Sequence, residues 1–381
     1  MPEFNFLTTL ITIAVVMAVV MGIDAYLILL ERKISAWMQD RIGPNRVGPR
    51  GLLQPIADGL KFLFKEQVIP SHVDKLLYLL APFLAMCTAL LAFAVVPFGP
   101  TDPNQPGQYQ FVIAPGLDIG ILWVFAIGSL AVYGVILGGY SANNKYSFIG
   151  ALRSSAQIIS YEIPLGLSIL GVLLMAGSLN LEWIIQYQVD HGWFLLYQPL
   201  AFLLFLISVF AECNRLPFDL PEAEQELVGG YHTEYSGMKF AMFFLGEYTH
   251  MITTSLVVSV LFLGGWHFPW LTDIGGFVGG IIKFLVLMGK LAFFIVFFML
   301  IRWTIPRFRF DQLMVLAWKV LIPLALVNLI CVMVVMELTR PGGWNPAWRW
   351  LLLPISLVLF VGAALFAAKQ PNRPRQAETP R

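Results

Sequence analysis

Long, uninterrupted apolar runs follow one another along this sequence and limit the folds open to it. Nine of them reach the roughly 20 residues that a helix needs to cross a bilayer. A transmembrane barrel would show alternating segments of about ten residues instead. We therefore predict an all-α, polytopic membrane protein with about nine transmembrane helices. The predicted spans are 6–30, 76–98, 119–139, 156–177, 195–212, 238–266, 275–301, 313–338 and 350–368.

Composition agrees with this fold class, because 58% of the 381 residues are hydrophobic and only 12% are charged. About a quarter of the residues of a soluble domain are charged, so lipid must cover much of this surface. The net charge of +1 argues against a nucleic-acid partner. The three cysteines lie too far apart in the chain to indicate a disulfide framework, a zinc site or an iron–sulfur site. We expect neither a metal nor a redox cofactor in this chain.

The Lys and Arg residues predict the orientation. Nineteen of the 24 lie in alternate loops, beginning with the loop after the first span, and in the C-terminal tail. Since cytoplasmic loops carry the excess of basic residues, we expect the N-terminus outside and the C-terminus in the cytoplasm. We divide the chain into a membrane domain (1–338), an additional C-terminal transmembrane helix (339–368) and a polar cytoplasmic tail (369–381). The tail is rich in proline, and we expect it to be disordered.

Charged residues inside membrane spans are costly and usually functional. Asp24, Glu162 and Glu247 each lie eight or nine residues from the basic residue that we take as the cytoplasmic end of the span. At 1.5 Å per residue they share a depth of about 12–13 Å. We predict one buried acidic layer able to hold or pass protons, with Glu212 shallower, at the end of span five. A structural hydrogen bond is the alternative for each of these carboxylates.

Lys290 lies twelve residues before Arg302, and therefore about 18 Å inside its span, near the midplane of the bilayer. Two interpretations stay open for it. Lys290 is either a counter-ion to the acidic layer or a direct participant in proton transfer.

The loop after the first span is long and only partly polar. Gly-Pro pairs at 43–44 and 48–49 enforce turns, and residues 52–65 place apolar side chains at helical spacing. We predict an amphipathic helix at the membrane interface. The loop is either a basic anchor for anionic headgroups or a docking surface that also frames an entrance for an amphiphilic ligand.

The loop at 213–239 is acidic, although it lies on the side with the excess of basic residues. Its carboxylates alternate with apolar residues and glycines, which is typical of a packed loop, and a solvated charge run is the alternative. The carboxylates are Asp219, Glu222, Glu224, Glu226 and Glu234.

Specific motifs in these loops and spans make the chain recognisable. They are Glu-Arg-Lys at 31–33, Gly-Pro-Asn-Arg-Val-Gly-Pro at 43–49, Ser-Tyr-Glu at 160–162, Asn-Arg-Leu-Pro-Phe-Asp-Leu-Pro-Glu-Ala-Glu at 214–224, Gly-Glu-Tyr at 246–248 and Pro-Arg-Phe-Arg-Phe-Asp-Gln-Leu-Met at 306–314. In this order the sequence resembles the H-type family of membrane subunits of respiratory complex I, which includes mitochondrial subunit 1. Complex I is a proton-pumping NADH-quinone oxidoreductase. The resemblance covers about residues 20–335.

The resemblance implies a membrane-arm subunit that forms the quinone tunnel and couples quinone reduction to proton translocation. Quinone would be the substrate, and NAD, FMN and the iron–sulfur clusters would belong to partner subunits. The expected partners are the peripheral-arm subunits at the quinone site and small membrane-arm subunits. The expected location is the inner membrane of a bacterial cell.

The resemblance also implies roles for individual residues. Arg32, Arg41 and Asp58 would lie near the mouth of the quinone tunnel. The carboxylates implied in proton coupling are Glu162, Glu212, Glu247, Asp219, Glu222, Glu224 and Glu226, and we add Lys290 for its position alone. Two features depart from the family: span three has no carboxylate, which some members carry there, and many members lack the ninth span.

Two other functions fit part of the sequence. The membrane anchor of an energy-converting hydrogenase shares shortened forms of these motifs, but the full first loop and the complete acidic loop favour the quinone enzyme. A stand-alone proton or cation transporter fits the acidic layer and Lys290. The absence of an internal repeat and the elaborate loops, which look built for a partner, count against a transporter.

Overall fold

The computed structural model describes residues 6–99, 112–114, 117–219, 228–272, 276–339 and 345–369. Every long regular element in these ranges is a helix, which confirms the predicted all-α class. A six-residue π-helical segment, Leu316–Leu321, joins the helices Phe310–Val315 and Ile322–Leu338. The helices are α1 (Phe6–Met38), α2 (Gln54–Phe64), α3 (Lys75–Leu91), α4 (Gly120–Ser141), α5 (Lys145–Ala176), α6 (Leu181–His191), α7 (Phe194–Tyr197), α8 (Pro199–Glu212), α9 (Gly237–Leu263), α10 (Gly276–Thr304), α11 (Phe310–Val315), α12 (Ile322–Leu338) and α13 (Leu352–Lys369).

Six helical segments of the described chain are long and apolar enough to cross a membrane. They are Thr9–Met38, Lys75–Val95, Gly120–Ser141, Lys145–Ala176, Val278–Thr304 and Phe310–Leu338. Helix α9 has 27 residues, about 40 Å of helix, and is long enough to cross a bilayer. It is not among these six segments because its polar side chains lower its mean hydropathy. The segments Pro199–Glu212 and Trp348–Ala363 are apolar but shorter. The protein is therefore membrane-embedded, while the count of nine spans and the orientation stay predictions.

Two helices extend beyond their predicted ends. Helix α5 begins at Lys145, eleven residues before the predicted span, because Asn144 caps it by accepting a hydrogen bond from the Tyr146 backbone N–H at 3.0 Å. Helix α1 continues to Met38. Arg32 and Arg153 consequently lie inside helices, so the predicted common depth below the helix ends is wrong for α1 and α5.

The predicted span at 195–212 is interrupted. Gln198 separates α7 from α8, and Pro199 begins α8 at a position where its missing N–H leaves no bond unmade. The preceding helix α6 was not predicted. It begins after Asn180, whose side chain accepts a hydrogen bond from the Glu182 backbone N–H at 2.8 Å. The interruption and α6 both lie near the end of the bundle where α9 finishes, because the Gln188 side chain donates to the Val260 carbonyl at 2.8 Å.

Helix α9 occupies the interior of the bundle. Every residue of α9 from Met251 to Phe262 is buried, and the helix ends where Gly264 takes a left-handed backbone conformation, with φ of 70°. The predicted amphipathic helix in the first loop is confirmed as α2, which packs beside α1 and α9 and buries none of its residues fully. We call the end of the bundle where α1 finishes and α9 begins the basic end, after its loops.

Candidate functional site

Glu31 is a buried carboxylate near the basic end of α1. It pairs with Arg302, in the last turn of α10, and lies 3.5 Å from Arg215 Nη1. The Tyr248 hydroxyl donates a hydrogen bond to Glu31 Oε2 at 2.5 Å. The Tyr248 ring lies 4.2 Å from the Arg215 guanidinium carbon, close enough for a cation–π contact. Nothing in the sequence singled out Glu31 except its place in the Glu-Arg-Lys motif.

Four consecutive residues of α9 each supply a carboxylate or contact one, and we call residues 247–250 the junction turn. The contacts are Tyr231 Oη to Glu247 at 3.1 Å, Tyr248 Oη to Glu31 at 2.5 Å, Thr249 Oγ1 to Asp24 at 2.7 Å and His250 Nε2 to Glu212 at 3.3 Å. Successive side chains point about 100° apart around a helix. This turn of α9 therefore lies between two carboxylates of α1, Asp24 and Glu31, and Glu212 at the end of α8.

Glu162 is connected to the same region through α4. Ser129 donates a hydrogen bond to Glu162 Oε1 at 2.6 Å. A Cβ placed on the neighbouring Gly128 would lie 3.5 Å from Glu212 Oε1, so α4 passes close to both carboxylates. Helix α4, which is the predicted span three and has no carboxylate of its own, thus contributes a hydroxyl to Glu162.

Two small cavities lie against these carboxylates. They offer about 60 and 20 Å³ of space to water, and Gly128, Glu212 and His250 line both of them. Glu247 also lines the larger cavity. A water molecule needs roughly 10–15 Å³ measured this way. A few waters therefore fit between Glu212 and Glu247, as a proton path would require.

The acidic loop is described only in part, because Glu222, Glu224 and Glu226 lie outside the described residues. Asp219 accepts a hydrogen bond from Arg307 Nη2 at 3.0 Å, and Glu234 accepts one from Asn144 Nδ2 at 2.8 Å. Burial lowers the pKa of His232 to about 4. The imidazole is therefore neutral near pH 7 and places no positive charge beside Tyr231.

The residues predicted at the tunnel mouth lie along two larger cavities. Arg32 Nη1 pairs with Asp58 Oδ2 at 2.6 Å and thereby joins α1 to α2. Asp58 lines a mainly apolar cavity of about 230 Å³ between α1, α2 and α9. Arg32 and Arg41 line a more polar cavity of about 380 Å³ that reaches Glu31 and Arg302.

These two cavities adjoin, because Ile28 and Phe244 line both. Together they make a path that begins among apolar side chains at membrane depth and ends among charged groups at the basic end. Such a path suits an amphiphile that has an apolar tail and a polar ring.

Lys290 lies apart from the carboxylates. Its ammonium donates to the carbonyl oxygens of Leu263, Gly265 and His267 at 2.6, 2.8 and 2.6 Å. Leu263 ends α9, sixteen residues after Glu247, which is about 24 Å along the helix. Lys290 therefore caps the far end of α9, and these contacts give no support to its predicted role in proton coupling.

Comparison with known proteins decides the family. A family model described as NADH dehydrogenase matches residues 11–333. The chain belongs to this family. The H 1 subunit of NADH-quinone oxidoreductase from Geobacter metallireducens is 50% identical over 318 residues, which cover 84% of this chain and 93% of the relative. NADH-quinone oxidoreductase subunit 8 of Thermus thermophilus is 47% identical over 346 residues, which cover 91% and 90%. The predicted family and function class, a membrane subunit of NADH-quinone oxidoreductase, are confirmed.

Proposed function

We propose that this chain forms the quinone tunnel of an NADH-quinone oxidoreductase in a bacterial inner membrane. We further propose that it passes the effect of quinone reduction to carboxylates inside the membrane. The main support for this proposal is the pair of adjoining cavities along α1. The cavity between α1, α2 and α9 suits an isoprenoid tail, and the cavity beside Glu31 and Arg302 leads toward the polar ring.

The charged groups at the inner end of the path suit the chemistry of quinone reduction. When electrons reach a quinone before protons do, negative charge develops on its ring oxygens. Fixed guanidinium groups stabilise such charge, and each interaction is worth a few kcal/mol at an effective dielectric constant of about 20. Arg302 and Arg215 pair with Glu31 in the resting arrangement, so a charged quinone would compete with Glu31 for them.

That competition gives the coupling a physical basis. If the arginines turn toward a charged quinone, Glu31 loses two positive partners and keeps Tyr248 as its hydrogen-bond partner. Tyr248 belongs to the junction turn, whose next residues contact Asp24 and Glu212. The loss of charge partners at Glu31 is thereby linked to Glu212, Glu247 and, through α4, Glu162. Asp219, Glu222, Glu224 and Glu226 would respond to the same charge from the acidic loop.

The remaining assignments concern partners. We propose that NAD, FMN and the iron–sulfur clusters belong to peripheral-arm subunits that dock at the basic end, and that small membrane-arm subunits pack beside the bundle. The exposed first loop, which includes Arg41, is the part of this chain best suited to such docking.

Filling the apolar cavity tests the proposal. Ala25 lines this cavity, and Ala25→Phe should block the tail of a long-chain quinone. We expect the apparent KM for that quinone to rise about tenfold or more, because a blocked pocket forfeits the burial of several methylene groups. Electron transfer from NADH to a water-soluble acceptor should not change.

Gly22→Phe provides the matched control. It adds the same ring to the same helix at an exposed position where a Cβ meets no atom within 4 Å. Equal quinone kinetics for Ala25→Phe and the unmodified complex would contradict the proposed tunnel.

A further inference from the structure

A separate cavity lies at the end of the bundle opposite the basic end. It has a volume of about 240 Å³ and is lined by Met175, Tyr187, His191, Tyr197 and Arg349. These residues come from the end of α5, from α6 and α7, and from the segment that leads into α13. None of them lines the cavities near Glu31 or Glu212.

Arg349 gives this cavity an unsatisfied donor. Its Nη1 donates to the Tyr187 hydroxyl at 2.9 Å, but its Nε is buried and has no hydrogen-bond partner among the described residues. Among the described residues that line the cavity, none is acidic. Leaving a buried charged donor unpaired is costly, so the site is suited to an anionic acceptor.

Aromatic side chains frame the cavity. The Tyr187 and His191 rings stack with centroids 4.2 Å apart, and Tyr197 lies 4.4 Å from Trp350. Trp348 and Trp350 are each 48% exposed. Tyr and Trp concentrate at the level of lipid headgroups. The cavity therefore lies at the depth where phosphate groups and acyl chains are both at hand.

The site also joins two parts of the chain. Tyr187 and His191 belong to the region that the family model matches, whereas Arg349 and Trp350 lie beyond residue 333, in the C-terminal extension. An anion bound here would contact both parts and hold α13 against α6 and α7.

We propose that this cavity binds the phosphate diester of a phospholipid from the leaflet opposite the basic end. Arg349 donates hydrogen bonds to the phosphate oxygens through Nε and its free guanidinium hydrogens, which is geometry that arginine favours for phosphate. The acyl chains lie along the exposed faces of Trp348 and Trp350. The bound lipid is a structural ligand that fastens the C-terminal helix to the rest of the bundle.

The test uses the intact complex, purified from native membranes in detergent and washed until only tightly held lipid remains. Native mass spectrometry counts the phospholipids on the complex and on Arg349→Gln. We expect the variant to lose one phospholipid, with affinity lowered about tenfold or more. Lys283→Gln is the matched control, because Lys283 lies 4.9 Å from the Trp266 ring in the same half of the bundle and does not line the cavity.

Reconstitution of the washed, unmodified complex gives a second measurement that needs no variant. Phosphatidylglycerol should raise the thermal stability of the complex, whereas diacylglycerol with the same chains and inorganic phosphate should not. Equal lipid retention by Arg349→Gln and the unmodified complex would overturn the proposal. Equal stabilisation by inorganic phosphate would mean that the ligand is a free anion and not a lipid. Equal stabilisation by diacylglycerol would mean that the site does not recognise the phosphate.

Discussion

Tyr248 makes two contacts, and one substitution can remove the first while it keeps the second. Its hydroxyl ties Glu31 to α9, and its ring lies against the Arg215 guanidinium. Tyr248→Phe removes only the hydroxyl. A hydrogen bond to a charged group contributes about 1.5–3 kcal/mol, so we expect NADH:quinone turnover to fall about tenfold while the complex still assembles.

The control for this prediction is Tyr26→Phe, which removes an exposed hydroxyl from α1. Turnover is measured in membrane vesicles, with assembly followed by native gel electrophoresis. Unchanged turnover in Tyr248→Phe would mean that the hydrogen bond between Tyr248 and Glu31 has no part in coupling.

Ser129 and Glu162 form a pair that a double-mutant cycle can test. We expect Ser129→Ala and Glu162→Gln each to reduce proton pumping and quinone reduction together. The double variant should be no worse than Glu162→Gln alone, because the glutamine of that variant carries no charge for the Ser129 hydroxyl to stabilise. Pumping is measured as the pH gradient formed by reconstituted complex.

Ser168→Ala is the matched control for the cycle, since the Ser168 hydroxyl donates to the Leu165 carbonyl within the same helix. Strictly additive losses in the double variant would mean that Ser129 does not act through Glu162.

Among the helices, the long apolar ones and amphipathic α2 are predicted well from the local sequence, because both depend on the spacing of apolar side chains along one segment. The break at Gln198 and the separate helix α6 depend on contacts with distant residues, such as the hydrogen bond from Gln188 to the Val260 carbonyl. Sequence periodicity contains no signal for such contacts. The polar first turns of α5 were missed for another reason: a search for apolar spans stops where a helix continues out of the membrane.

The packing of α5 against the loop before α9 yields a prediction at this scale. A Cβ on Gly150 would lie 2.8 Å from Gly230 Cα and 3.0 Å from the Tyr231 backbone nitrogen. Gly150→Ala should therefore displace Tyr231 and weaken its hydrogen bond to Glu247. We expect faster hydrogen exchange in residues 228–236 and less pumping for each quinone reduced.

Gly166→Ala is the control, because it changes the same residue type in the same helix at a site where a Cβ meets no atom within 4 Å. Both variants raise helix propensity, so a difference between them reports the loop contact. Identical exchange and identical coupling in the two variants would contradict the prediction.

For the molecule as a whole, sequence motifs were enough to predict the family, and the proton-coupling role of Glu162, Glu212 and Glu247 stays a prediction. The sequence did not reveal how these groups connect. Tyr248 and Glu31 are 217 residues apart in the chain, and only the folded bundle brings them together. For Lys290, a position near the predicted midplane suggested a role in proton coupling. The folded chain places its ammonium against three carbonyl groups at the end of α9, so that role stays a prediction.

An electron cryo-microscopy map of the intact complex with a long-tailed quinone bound would test the proposed tunnel directly. We expect density for the tail between α1 and α2, against Ala25 and Phe62, and the ring beyond Phe244 toward Arg302. A quinone that reaches the interior by a route outside the cavity between α1, α2 and α9 would show that this cavity is not the tunnel.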